Sequence, residues 1–433
     1  MPLLDFEKRA VASPKLTLPI RKVLSNGLTV LVIENKNNPT ISMSGFVRAG
    51  GSLNPPGKEG LASLTAEMLD KGTTRRDKLT LARDLDFVSA QVGFSGRIES
   101  TSINASCLSK DLDRTLGVLA EELTLPAFPK NELLKAKADW ITSIRQSEER
   151  PEVQARRAFN HQIFPLGHPY RELAPAEKIA AIEEISQADL KAFHLAHYGP
   201  NAVSLAVVGD VKAEEVCAKL ERLFKNWGKV AVSPLVIPDV KVGKPEKTII
   251  PMMDKSNVVL FTGNPTAIHR RDPDYYAATT ANYILGGDPL SARLGVKLRD
   301  EMGLTYSVGS SINPSYGATA WNASITVNPA NVETAIEALR SEIKRFVNQG
   351  VTAEELAKAK SAFIGGLAVG LSTNAGMASS LSSIEFFDLG TDYWSRCPKL
   401  FGDLSLEEVN RAARKMVLPE GLDLAIAGPY QEK

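Results

Sequence analysis

The sequence predicts an α+β protein built from two homologous domains, each a mostly antiparallel sheet with helices packed on one face. Three observations support this fold class. The length of 433 residues suits two cores of about 200 residues each. Strand-like and helix-like patterns alternate irregularly, as they do in α+β folds. Finally, a pattern near the middle of the chain recurs at its end, which indicates an internal duplication.

The first predicted element is a β-hairpin. An Asn-Gly pair at 26–27 lies between apolar residues at 23–24 and the apolar run 28–33, and such a pair favours the tight turn between two antiparallel strands. Two helices are predicted further on, because apolar residues recur there with the helical period. These residues are Leu61, Leu64 and Met68 in the first helix, and Leu134, Ala138, Ile141 and Ile144–Arg145 in the second.

Both halves of the chain end with the same order of elements. In the first half a predicted helix is ended by Pro200, and a buried strand leads to Gly209. In the second half Pro419 ends the helix, and the strand leads to Gly428. The two prolines and the two glycines are each 219 residues apart, so the register is the same across the segment. A duplication explains this agreement more simply than chance does.

Residues 229–247 separate the two repeats. They contain three prolines and show no helical period, which is typical of an extended linker. The predicted domains are therefore residues 1–228 and residues 248–433.

Charge and hydropathy give no support for two classes of partner, nucleic acids and membranes. Lys plus Arg is 51 and Asp plus Glu is 50, which gives a formal net charge of +1. Charge therefore gives no reason to expect nucleic acid or an anionic membrane as a partner. No apolar run approaches the roughly 18–20 residues that span a bilayer. The cysteines Cys107, Cys217 and Cys397 are odd in number and far apart, and we expect free thiols.

The stretch 60–73 is the most informative part of the sequence. It reads Gly-Leu-Ala-Ser-Leu-Thr-Ala-Glu-Met-Leu-Asp-Lys-Gly-Thr and resembles the zinc-site helix of the pitrilysin/insulinase family of metallopeptidases. That family has a His-x-x-Glu-His core. In this register the histidine positions fall on Ser63 and Glu67, and the catalytic glutamate position falls on Ala66. A seryl hydroxyl is a poor zinc ligand, and a methyl group cannot act as a base.

The rest of the family's zinc site is also missing. Helical spacing places Ser63, Ala66 and Glu67 on one face, opposite the apolar residues. The family's third ligand is a glutamate that lies eight residues before a proline. Here Ser143 stands eight residues before Pro151. The resemblance therefore implies that this chain holds no metal and that zinc is bound by a partner.

Other metal ligands are few. Glu67 and Asp70 offer oxygen atoms, but no histidine or cysteine lies near them in the sequence. Four histidines form two close pairs, and we interpret them as surface or hydrogen-bonded residues without a metal. They are His161, His168, His194 and His197.

The second half keeps residues that the family uses at its active-site cleft. An Arg-x4-Leu-x-Tyr pattern in residues 299–306 resembles the family's C-terminal segment, and Arg299 and Tyr306 match the two cleft residues. The resemblance implies that Arg299 holds substrate carbonyls through its several N–H donors. It implies that Tyr306 donates a hydrogen bond to the oxyanion of the tetrahedral intermediate. As isolated residues, they would instead be a helix-end ion-pair former and an ordinary strand residue.

These observations predict an assisting subunit. Some members of the family divide the labour between a zinc-bearing chain and a chain without ligands, and this sequence is similar to the second kind. The two chains would close like a clamshell around a peptide substrate, and Arg299 and Tyr306 would complete the partner's zinc site in trans. Alone, the chain would be inactive.

Two alternatives remain open at this point. One is a non-catalytic scaffold or peptide-binding subunit of a larger complex, which loss of the zinc ligands fits equally well. The other is a stand-alone peptidase with a relocated metal.

Residues 1–21 contain no apolar signal core. We expect a periplasmic protein whose signal peptide was removed, with a cytoplasmic location as the alternative.

Overall fold

The structure, a computed structural model, describes residues 18–432. Its first half carries strands β1 (Ile20–Val23), β2 (Thr29–Glu34), β3 (Thr40–Val47), β4 (Gln91–Gly96), β5 (Thr101–Leu108) and β6 (Val203–Gly209). The helices of this half are α1 (Leu61–Glu67), α2 (Lys78–Asp86), α3 (Leu112–Thr124), α4 (Lys130–Ser147), α5 (Pro151–Ile163), α6 (Pro175–Glu184), α7 (Gln187–His197) and α8 (Ala213–Leu223).

The second half carries strands β7 (Lys247–Pro251), β8 (Val258–Pro265), β9 (Ser307–Ile312), β10 (Ala320–Val327) and β11 (Asp423–Gly428). Its α-helices are α9 (Tyr275–Asn282), α10 (Val332–Gln349), α11 (Ala353–Gly370), α12 (Asn374–Phe386), α13 (Tyr393–Gly402) and α14 (Leu406–Met416). Two further segments, Tyr283–Gly287 and Gly295–Glu301, are π-helical. The α+β fold class is confirmed.

The two sheets have the same topology, as the predicted duplication requires. The strand order is β1-β2-β6-β3-β5-β4 in the first sheet and β7-β11-β8-β10-β9 in the second. In both sheets one pair is parallel, β2 with β6 and β7 with β11, and the other pairs are antiparallel. The second sheet therefore repeats the first without β1.

Local signals in the sequence set the repeated ends of the halves. Ser186 caps α7 and Ser405 caps α14, each through a capping box. Gly209 and Gly428 have φ values of 150° and 138°, a backbone region that favours glycine. A Cβ on Gly209 would lie 2.1 Å from the Thr40 carbonyl oxygen. The strands can therefore end there only with glycine.

The hairpin and the first predicted helix are also confirmed. β1 and β2 pair antiparallel, and Gly27 in the turn has a φ of 96°. Leu61, Leu64 and Met68 are all buried along α1.

The predicted face of α4 is wrong at Leu134 and Ala138, which are exposed. Leu134 is 67% exposed, and the buried residues of this helix are Leu133 and Ala136. Trp140, Ile141 and Ile144 also pack against the core of the first half, so the prediction is confirmed at Ile141 and Ile144. The true stripe starts one residue earlier than the apolar pattern indicates, because a tryptophan at position 140 packs inward.

One helix of each half packs on the sheet of the other half. Helix α5 lies against β8 and β11, where Phe159 and Phe261 have ring centroids 6.2 Å apart. Helix α12 lies against β3 and β6, where Leu381 and Ile384 pack with Val208. Each sheet is therefore covered by its own helices on one face and by an exchanged helix on the other.

Hydrogen bonds reinforce this exchange. The Asn35 side chain donates to Asn374 Oδ1 at 2.7 Å, at the start of α12. Near its end, Arg21 donates to the Glu385 carboxylate at 2.8 Å through two nitrogens. The first sheet thus holds both ends of a helix that belongs to the second half.

The segment between α8 and β7 crosses the molecule without helix or strand. It is fixed to the first half at two points: the Asn201 side chain pairs with the Val230 backbone at 2.8 and 2.9 Å, and His168 Nε2 bonds the Pro238 carbonyl oxygen at 2.8 Å. Within residues 18–432, no helix is long and apolar enough to cross a membrane.

Candidate functional site

Helix α1 carries the positions that match the family's zinc site. It starts after Gly60, whose φ of 107° suits a residue without a side chain. Its apolar residues are buried in the core of the first half. Ser63 and Glu67 lie on the remaining face and are half-buried. The prediction that Ala66 lies on the same face is wrong, because Ala66 is completely buried.

An indole ring covers the face on which the ligands would stand. Trp140 Nε1 donates a hydrogen bond of 2.6 Å to Glu67 Oε2. At the other end of the helix, a Cβ on Gly60 would lie 3.6 Å from the same ring. Positions 60, 63 and 67 lie on one face at helical spacing. The ring therefore lies along that face, and Glu67 already serves as its hydrogen-bond acceptor.

The third ligand position and a neighbouring strand complete this region. Ser143 is exposed on α4, one turn after Trp140. On another side, β4 packs directly on α1: a Cβ on Gly96 would lie 2.4 Å from Ser63 Cα. The donors present are thus two hydroxyls and a hydrogen-bonded carboxylate, a poor set for zinc.

Histidines do not replace the missing ligands here. His161, His168 and His194 each bond a backbone carbonyl oxygen through Nε2 at 2.7–2.8 Å. Burial lowers the pKa of both His194 and His197, which favours their neutral form. In the part of the chain that the structure describes, no three His, Cys, Asp or Glu side chains are grouped as metal ligands would be. The three cysteines are buried free thiols.

Arg299 lies on the π-helical segment Gly295–Glu301, just before β9. Its guanidinium donates to the Pro289 carbonyl oxygen at 2.7 Å and to that of Leu290 at 3.3 Å. It also donates to the Asp300 carboxylate at 2.8 Å, and this hydrogen bond raises the pKa of Arg299. The side chain is thus a fixed cation that already binds main-chain carbonyl groups.

Tyr306 is the residue immediately before β9, and its side chain is fully exposed. Full exposure is unusual for a tyrosine, whose ring normally packs against other side chains. β9 is an edge strand of its sheet, in the place that β4 has in the first sheet. Arg299 and Tyr306 therefore lie near the β9 edge of the second sheet, while the positions that match the zinc site lie near the β4 edge of the first sheet.

Sequence reasoning missed two groups near α1. One is Trp140, whose position one turn before Ser143 on the same helix was a usable signal. The other is Glu122 on α3, which is 1% exposed. Glu122 stands three residues after Leu119, on the apolar stripe of its helix, and an acidic residue on such a stripe indicates a buried carboxyl group.

Models of known protein families match both halves of the chain. A family model described as Insulinase (Peptidase family M16) matches residues 29–172. A second, described as Peptidase M16 inactive domain, matches residues 184–363.

Individual relatives cover most of the chain. A Rickettsia bellii protein called an uncharacterized zinc protease is 25% identical over 341 residues, 78% of this chain and 80% of the relative. A Helicobacter pylori protein called the non-peptidase homolog YmxG is 24% identical over 391 residues, 89% of this chain and 88% of the relative.

Solved structures share the fold. The peptidase M16 inactive domain structure from Pseudomonas fluorescens has a TM-score of 0.88 at 24% identity and covers 96% of this chain and 99% of its own. A protease structure from Helicobacter pylori has a TM-score of 0.83 at 18% identity and covers 95% of this chain and 100% of its own.

Proposed function

The chain belongs to the M16 insulinase family of peptidases, and from this premise we propose that it is the non-zinc-binding subunit of a heterodimeric zinc metallopeptidase. In this proposal a homologous partner chain holds the zinc ion, which supplies the Lewis acid for peptide hydrolysis. This chain contributes Arg299 and Tyr306 to the shared site.

The degenerate site on α1 supports the first part of the proposal. Ser63 and Ser143 offer only hydroxyls, Ala66 offers nothing, and Glu67 is engaged by Trp140. Restoring a metal there would require new ligands and removal of the indole. In this proposal the first half of the chain therefore takes no part in a catalytic step.

The role of Arg299 and Tyr306 in the proposal is supported by the hydrogen bonds of Arg299 and the exposure of Tyr306. Arg299 donates to the carbonyl oxygens of Pro289 and Leu290, and in the proposal a carbonyl group of the substrate replaces one of these internal acceptors. Tyr306, seven residues further along the chain, has a fully exposed side chain. A phenol in that position can donate to an oxyanion at a site that a second protein completes.

The proposed substrate is an unfolded peptide. An extended segment pairs with a sheet edge through main-chain hydrogen bonds, and β9 offers such an edge next to Arg299 and Tyr306. In the assembled enzyme this chain would bind substrate carbonyls and stabilise the oxyanion, while the bond-breaking chemistry takes place at the partner.

The proposal is tested by replacing Tyr306 with Phe in the heterodimer. The partner is sought as a neighbouring gene that encodes an intact His-x-x-Glu-His chain of similar length. We expect the isolated chain to contain no stoichiometric zinc and to leave a quenched fluorescent peptide uncut, and the mixture to cleave it. Tyr306→Phe should lower turnover about 100-fold, the size of one lost oxyanion donor.

A second tyrosine provides the matched control. Tyr430→Phe also removes a phenol hydroxyl from the second half, one that donates to Glu333 at the surface, and should leave turnover unchanged. Assembly is followed by size-exclusion chromatography for each variant. Unchanged turnover in Tyr306→Phe would refute the catalytic role. A stable complex without activity would instead favour the scaffold or peptide-binding alternative.

A further inference from the structure

A cavity of about 720 Å³ opens in the first half beside the edge strand β4. This volume is typical of pockets that bind small molecules or side chains. The apolar part of its wall comes from α2 and β4, through Leu81, Leu85, Val92 and Phe94. These walls belong to neither of the sites described above.

Three carboxyl groups line this cavity: Asp70, Glu122 and the exposed Asp86. Glu122 is 1% exposed, and its Oε2 atom has no hydrogen-bond partner among residues 18–432. A buried polar atom without a partner is costly, and a group that a ligand would satisfy is a common reason for one.

The neighbouring cations are already paired with other acids. Arg76 binds Glu121 at 2.7 Å and also Asp84. Lys71 lies 2.8 Å from Asp70, and Lys78, at the cavity wall, donates to Glu132 at 3.0 Å. Glu122 has no such partner, so it is a buried acid that no lysine or arginine of the described residues already pairs with.

A metal ion is a poor occupant for this cavity. Hard cations such as calcium take six or more oxygen ligands. Of the three carboxyl groups here, one is paired with a lysine and Asp86 is exposed, and the described residues contain no group of three acidic, His or Cys side chains placed to hold a metal ion. An organic cation needs fewer partners. Its aliphatic part would also use the apolar walls, which a metal ion would not.

The cavity is open toward the main chain of an edge strand. Its lining continues around the free edge of β4 to Ser44 and Asn104 on the opposite face of the sheet, and to Ser379 on the exchanged helix α12. A peptide laid along β4 would therefore pass the mouth of the cavity and direct alternate side chains to its helix side.

We propose that this cavity binds the side chain of a lysine or arginine presented by a peptide. The cationic end lies at Glu122 and Asp70, and the aliphatic stem lies along Leu81 and Leu85. The site requires neither a zinc-bearing partner nor Arg299 and Tyr306, so it can be tested on the isolated chain, independently of the proposed catalytic role.

Binding should depend on pH. Burial, and secondly the charge of Asp70, raise the pKa of Glu122 to about 8, while Arg76 and Lys71 oppose this rise and Glu121 adds to it. Below pH 8 the free site therefore holds a proton on Glu122, and an entering cation must displace it. Affinity should increase with pH up to about 8, by at most about tenfold per pH unit, and then level off.

The experiment measures binding of capped, fluorescently labelled peptides to the full chain by anisotropy. The peptides are identical except for one central residue, which is Lys, Arg or norleucine. At pH 8 we expect the Lys and Arg peptides to bind about tenfold or more tightly than the norleucine peptide. This preference should shrink at pH 6.

Three variants sharpen the test. Glu122→Gln keeps the shape of the side chain, and it should abolish both the preference and its pH dependence. Asp70→Asn should reduce the preference independently. Glu337→Gln, an exposed position on α10, changes the net charge equally and should have no effect. Thermal melts establish that each variant is folded.

Two results would overturn the proposal. One is equal binding of the Lys and norleucine peptides by the wild-type chain, or an unchanged preference in folded Glu122→Gln and Asp70→Asn. The other is competition by free n-butylamine at the same concentration as the Lys peptide, which would show that the site takes a small amine rather than a peptide side chain.

Discussion

Glu121 and Glu122 are adjacent on α3, but their carboxyl groups have opposite surroundings. Burial acts to raise the pKa of Glu121, but hydrogen bonds from Arg76 and Thr73 outweigh it and hold that pKa below its ordinary value. Glu122 has no such donors, and burial raises its pKa to about 8. At the residue scale, the two therefore affect stability with opposite signs.

Glu122→Gln should stabilise the protein near pH 8. The pKa of Glu122 is raised on folding, so its contribution is complete below about pH 4.5 and is lost as pH rises to about 8. A shift from 4.5 to about 8 corresponds to on the order of 5 kcal/mol. Glutamine carries no charge at any pH, so the variant should lack this loss. Urea denaturation at pH 5 and pH 8 measures the difference.

Glu121→Gln is the matched comparison. Its pKa is lowered on folding, so its contribution is complete above the unfolded pKa and is lost as pH falls. Removing this charge also leaves Arg76 without its main partner. The variant should be less stable than the wild type at neutral pH. Equal effects of the two substitutions would contradict the assigned environments.

At the scale of elements, the close packing of β4 on α1 depends on a glycine. A Cβ on Gly96 would lie 2.4 Å from Ser63 Cα and 2.7 Å from its Oγ, so the strand can approach the helix only without a side chain there. Gly93 is on the same strand, and a Cβ there would meet nothing within 4 Å. Alanine at position 96 tests the close packing against α1, and alanine at position 93 tests the effect of alanine on the strand alone.

Gly96→Ala should destabilise the protein by about 1–3 kcal/mol, the usual cost of overpacking. Gly93→Ala should change the free energy of unfolding by less than about 0.5 kcal/mol. Denaturant titrations of both variants test the prediction. If Gly93→Ala cost as much as Gly96→Ala, the contact with Ser63 would not be the cause.

The elements differ in how far the sequence predicts them. The β1–β2 hairpin and the starts of α7 and α14 follow from local signals, an Asn-Gly turn and Ser caps, which act within a few residues. The face of α4 was wrong at Leu134, because an inward tryptophan decides it through contact with α1. The catalytic roles of Arg299 and Tyr306 remain a prediction.

At the scale of the whole molecule, the exchange of α5 and α12 was beyond reach of the sequence. The strands on which these helices pack lie about a hundred residues or more away along the chain, and no local pattern in the sequence identifies them. The duplication did predict that each half has its own sheet. It did not predict that a helix from the other half covers the second face of each sheet.

Because of this exchange, the two halves should unfold together. Leu381 is completely buried on α12 against the first sheet, and Leu381→Ala should cost about 2–5 kcal/mol. Calorimetry of the full chain should show one transition that moves as a unit to lower temperature. Val369→Ala, at a 74% exposed site on α11, should leave it in place. Two transitions, of which only one moves, would exclude this coupling.

The exchanged helices also bear on how such a chain evolves. Deleting the first half would remove α5 and leave Phe261 and its apolar neighbours on the second sheet in water. Selection for a folded, soluble second half would therefore also retain the first half.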